Sequence, residues 1–115
     1  MRNVNSGGAA DSMVIAATKA KLIRLTIFNA KASSQYIHIF DAASLPANGA
    51  TPDYPPMYVG TKQTVIVEFN DFGRNFDNGI VVCNSSTEAT KTIGSEDCWF
   101  DAQVMPVDGD PKNYR

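Results

Sequence analysis

The chain has 115 residues, 43% of them hydrophobic, enough for one domain that buries roughly 65% of the surface its unfolded form exposes. Its 10 basic and 12 acidic residues are dispersed and leave a formal charge of −2, which excludes the clustered Lys and Arg of a phosphate-binding surface and makes nucleic acid an unsuitable main partner. No apolar run approaches the roughly 20 residues of a membrane-crossing helix, so no membrane partner is expected.

Residues 1–11 are polar, contain Gly7-Gly8 and show no periodicity; they are expected to form an N-terminal arm outside the core. The first residues lack the apolar segment of a secretion signal, so a soluble product made in the cytoplasm is expected. Residues 12–18 form a short mixed strand. Residues 21–30 alternate most clearly: Ile23, Leu25 and Ile27 point one way, Arg24 and Thr26 the other, with Leu22 and Phe28 partly covering that second face. The connection at residues 31–34 is tight, so residues 35–41 are expected to return as a hairpin partner, with Ile37 and Ile39 on one face and Tyr36, His38 and Phe40 on the other.

Residues 42–56 carry Pro46, Asn48-Gly49, Pro52 and Pro55-Pro56, which exclude a central strand. A loop of that length in a small domain is often functional. Residues 57–59 form a short strand. Residues 62–69 then run with Val65, Val67 and Phe69 inward and Thr64, Ile66 and Glu68 outward, and residues 70–79 look irregular. Residues 80–84 are nearly all apolar, as in a strand buried on both faces. After a polar loop at 85–97, residues 98–104 close the fold, with Phe100, Ala102 and Val104 alternating against Trp99, Asp101 and Gln103. Pro106 ends the pairing and a polar tail follows. Seven short strands without an amphipathic helical window predict an all-β, antiparallel, jelly-roll-like β-sandwich of about seven to eight strands. It spans residues 12–105, between an arm at 1–11 and a tail at 106–115.

Chemistry-bearing residues are few. The single histidine, His38, has no ligand set or orienting carboxylate near it in the sequence and is expected on a surface or interface. Asp71, Asn75, Asp77 and Asn78 offer oxygens for a cation, but match no EF-hand spacing and are ordinary turn formers. Cys83 and Cys98 allow one disulfide at most, and buried reduced thiols are the default in a cytoplasmic product. Tyr36, Phe40, Tyr54, Tyr58 and Trp99 can be read either as a glycan platform or as packing and interface side chains. No nucleophilic elbow or phosphate loop is present. Catalytic residues, a metal and a cofactor are therefore not assigned.

The order of segments carries a resemblance. Residues 22–30, LIRLTIFNA, then 35–42, QYIHIFDA, then Leu45-Pro46 are similar to small virion proteins of tailed bacteriophages. So are VIVEF at 65–69, Gly73-Arg74 with Phe76, and Asn78-Gly79 before Ile80-Val81-Val82. The resemblance covers residues 12–104, apart from the Asp/Asn-rich stretch and the cysteines. It implies a non-enzymatic β-sandwich located in the virion, foremost a capsid decoration or cement protein. Its partners would then be the major capsid protein and neighbouring copies of itself. A tail or head-fibre component that binds host glycans is the alternative. Candidate partner-binding residues are Met1, Arg2, Asn3, Val4 and Asn5 in the arm, Tyr54, Pro55 and Pro56 in the long loop, and Tyr114 and Arg115 in the tail.

Overall fold

A computed structural model describes residues 1–70 and 72–106. Nine strands are present among them: β1 (Arg2–Asn5), β2 (Ser12–Ala16), β3 (Ala20–Asn29), β4 (Gln35–Phe40), β5 (Met57–Val59), β6 (Thr64–Glu68), β7 (Arg74–Phe76), β8 (Ile80–Ser85) and β9 (Cys98–Pro106). They form two antiparallel sheets packed as a sandwich. One has the order β1-β9-β3-β6, with β7 also paired to β3; the other has the order β2-β8-β4-β5. Setting β7 aside, the first strand lies beside the last and the second beside the next to last, and most connections cross between the sheets. That is jelly-roll order.

The expected β3–β4 hairpin does not form. β3 bonds to β6, β7 and β9, whereas β4 lies in the other sheet between β5 and β8. Residues 31–34 instead carry the chain from one layer to the other. Asn29 anchors the crossing: its side-chain Nδ2 donates to the carbonyls of Ser33 at 3.0 Å, Val59 at 3.3 Å and Gly60 at 3.2 Å. This buried amide ties the crossing to the end of β5, with its donors satisfied.

The core follows the alternation. Leu25, Ile27, Ile37, Ile39, Val67, Ile80, Val82, Phe100 and Val104 meet between the sheets, with Val65 and Phe69 partly buried against them. β3 departs from simple alternation. Its register against β9 shifts between Leu22 and Arg24, and such a bulge reverses the side-chain parity on either side of it. Leu22, expected on the second face, is therefore fully buried in the main core. Ile23 is buried separately, beneath Gly73: a Cβ on Gly73 would come 2.7 Å from Ile23 Cδ1.

Two further expectations change. Arg2–Asn5, assigned to an arm outside the sandwich, is an edge strand in register with Asp101–Val104 of β9, and Val4 packs against the core. Residues 70–79 are not wholly irregular, because β7 pairs Arg74, Asn75 and Phe76 with Leu22, Lys21 and Ala20. Both pairings depend on strands distant in sequence, for which a short polar segment carries no local signal.

Candidate functional site

The outer face of the β2-β8-β4-β5 sheet is covered by the chain's own loops. Phe40, Val81 and Cys83 form a second apolar cluster there, closed by Ala42, Ala50 and Ile93. The two covering loops are laced together. Gly49 N–H donates to the Lys91 carbonyl at 2.7 Å, Lys91 N–H donates to the Ala50 carbonyl at 2.8 Å, and the Lys91 ammonium donates to Asn48 Oδ1 at 2.8 Å. Only 4% of Lys91 is exposed. The long 42–56 loop is thus a docked lid over its own sheet.

His38 lies under this cover, fully buried, which corrects the expectation of a surface side chain. Its Nε2 is 2.9 Å from the Glu88 carbonyl; a carbonyl only accepts, so Nε2 carries the proton and Nδ1 is the bare nitrogen. Burial lowers its pKa from the usual 6.5, and the positive charge of Lys91 adds to the effect, against the raising influence of the carbonyls of Glu88 and Thr87. Cys83, opposite His38 in the ladder, has its thiol pushed up to about 12 by the same loss of water. Cys98 is also raised by burial. Both cysteines are free and belong to different clusters. These groups are held in their neutral forms, which favours packing over nucleophilic chemistry.

The Asp/Asn-rich stretch does not form one loop around a point. Asp71 lies outside the described residues, Asn75 is in β7, and the backbone N–H groups of Asp77 and Asn78 donate to the carboxylate of Asp41 at 3.1 and 2.8 Å. Among the described residues, no group of three or more His, Cys, Asp or Glu is placed to hold a metal ion.

The five aromatics occupy separate places. Phe40 is buried under the lid. Tyr54 packs edge-on against Phe69, ring centroids 5.5 Å apart, with the Arg74 guanidinium 5.0 Å over its ring. Tyr36 and Tyr58 form an edge-to-face pair at 5.8 Å on β4 and β5. Trp99 is on the other sheet. Of the candidate partner-binding residues, Met1, Arg2, Asn3 and Asn5 are exposed along β1, Val4 is half-buried, and Pro55 and Pro56 are exposed beside the packed Tyr54. Tyr114 and Arg115 lie outside the described residues.

The face left open is the outer side of the β1-β9-β3-β6 sheet. Register places Trp99 opposite Phe28, and Ile66 opposite Thr26, one step along the same face. Trp99 is 47% and Ile66 50% exposed. Arg24 and Glu68, 3.7 Å apart, and the Asn5–Asp101 hydrogen bond at 3.1 Å flank this apolar strip. Each of the three apolar residues was legible as outward-facing in its own strand. That they adjoin was not, because adjacency depends on strand order.

No protein-family model matches the sequence, and no curated protein matches it. Among solved structures, the coat protein of tobacco streak virus superimposes with a TM-score of 0.45 at 10% sequence identity, over 95% of this chain and 92% of that one.

Proposed function

We propose that this chain is a non-enzymatic structural protein of a tailed-bacteriophage virion, a capsid decoration or cement protein that bridges major capsid subunits. The observation that carries the reading is the open outer face with Phe28, Ile66 and Trp99. It is an apolar strip on one side of a two-sheet scaffold whose other side is largely covered around Phe40, Val81 and Cys83 by its own loops. Apolar centres rimmed by polar groups are the ordinary anatomy of protein interfaces. The sequence resemblance to small phage virion proteins supplies the context. The jelly roll hosts capsid and lectin domains alike, so the fold alone does not select a function.

In this reading the virion holds many copies, each contributing interfaces of order ~1,000 Å². The exposed edge of β1, with Met1, Arg2, Asn3 and Asn5, adds a strand to a neighbouring subunit by backbone pairing. Pro55, Pro56, Tyr114 and Arg115 are proposed as further contacts. The deciding experiment is gel densitometry of purified virions together with a salt wash. A copy number comparable with that of the major shell protein, and retention in molar NaCl with release by urea, are expected, because salt screens exposed charges but not buried apolar contact. A few copies per particle would favour a tail or head-fibre protein instead, with the exposed Tyr58 and the half-buried Tyr36 as its glycan contact. Release by salt alone would refute apolar attachment.

A further inference from the structure

We infer that β6 is a self-association edge, at which two copies of this chain join their sheets through an antiparallel β6–β6 pair centred on Ile66. The inference concerns the isolated protein and does not require the virion reading.

Sheet edges in soluble proteins are normally blunted by prolines, bulges or shortness. β5 is three residues long and follows Pro55-Pro56. β2 has a register shift between Val14 and Ala16. β6 has neither device: all five residues, Thr64 to Glu68, pair in unbroken register with Phe28 to Arg24.

The hydrogen-bonding parity of this edge follows from its flanks. Phe69 N–H donates to the Ile23 carbonyl at 2.9 Å, and Asn29 N–H to the Gln63 carbonyl at 3.0 Å. The carbonyl of Gln63 and the N–H of Phe69 therefore turn toward β3, and by alternation so do the backbone groups of Val65 and Val67. Thr64, Ile66 and Glu68 turn theirs toward the open side.

The segment is also self-complementary. Written outward from Ile66, it reads Val, then a polar residue, in both directions. An antiparallel pair on a two-fold axis sets Ile66 against Ile66 of the second copy, Val65 against Val67, and Thr64 against Glu68. Every outward-turned N–H then meets an outward-turned carbonyl, and no like charges oppose each other. Ile66, half-exposed in the single chain, is covered by its own counterpart. An isologous contact of this kind closes on itself and stops at two copies.

The test is site-directed cross-linking of the full chain. In a hydrogen-bonded antiparallel pair the opposed Cα atoms are about 5.5 Å apart, within the span of a disulfide. Ile66→Cys should form a disulfide-linked dimer under mild oxidation. Glu68→Cys alone should not, yet should cross-link when mixed with Thr64→Cys. All three positions are at least half exposed or on the open face, so folding should survive, and circular dichroism checks that it does. Ile66→Lys, which places two ammonium groups on the axis, should abolish any dimer seen by sedimentation velocity. Failure of Ile66→Cys to cross-link faster than Glu68→Cys, in folded protein at high concentration, would overturn the inference. So would a dimer that Ile66→Lys leaves intact.

Discussion

Asn84 of β8 donates its side-chain Nδ2–H to the sulfur of Cys98 in β9, 3.3 Å away, across the gap between the two sheets. The same Nδ2 donates to the Ser95 carbonyl at 2.8 Å, which fixes the amide's orientation. Its oxygen is thereby turned toward Gly94, where the oxygen of Gln35 also points; neither has a hydrogen-bond partner. Both face a Cα whose hydrogens are weak donors.

Gly94→Ala is the sharpest check on that arrangement. A Cβ at Gly94 would sit 2.6 Å from both oxygens, closer than van der Waals contact allows, and both oxygens belong to side chains pinned by other bonds. A loss of about 1–3 kcal/mol is expected, seen as a lower urea midpoint with an unchanged slope. A midpoint equal to wild type would show that the amides are free to move.

Asn29→Asp replaces a donor that serves three carbonyls with a buried acceptor facing the same three. Leaving buried carbonyls opposite a carboxylate should cost on the order of 3–5 kcal/mol, whereas Asn29→Asp at an exposed turn would be nearly neutral. Thermal unfolding of the variant distinguishes the two.

Ile37→Asp should abolish folding, since Ile37 is fully buried between the sheets. The expected cost exceeds ~4 kcal/mol, set against a total stability of ~5–15 kcal/mol for a domain of this kind. Soluble, cooperatively unfolding Ile37→Asp protein would contradict the core described above.

His38 makes stability depend on pH in a defined window. Its folded pKa lies below the unfolded value of 6.5, so below 6.5 the unfolded chain takes up a proton that the folded chain refuses. The histidine's contribution is fully present above 6.5 and is lost as pH falls through the folded pKa. As pH falls below 6.5, wild type should therefore lose stability relative to His38→Gln. Parallel curves for the two proteins would show that His38 titrates normally.

Removing residues 1–6 deletes β1 together with Ser6, whose N–H donates to the Phe100 carbonyl and whose Oγ accepts from Phe100 N–H. The sandwich should still fold, with faster amide exchange at Phe100, Ala102 and Val104, because β9 becomes a bare edge. Unchanged protection there would mean that β1 pairing contributes nothing in solution.

Alternation in residues 21–30, 62–69 and 98–104 was enough to assign strands, their inward faces and most of the core, because a pleated strand half-buried in a sheet must alternate with a period of two. The both-sides-buried character of β8 was equally local: every residue from Ile80 to Ser85 is buried. What local pattern could not decide was partnership. β1 lies against β9 across nearly the whole length of the chain, and β3 and β4, neighbours in sequence, lie in different layers. The bulge at Ile23 moved Leu22 into the core against its own alternation. His38 looked like a surface residue because nothing near it in sequence could cover it. Its cover comes from residues 42–56 and 86–93, laced over it through Lys91 and Asn48. Exposure of a strand's outward face depends on which distant segment folds onto it, and only tertiary structure brings that segment there.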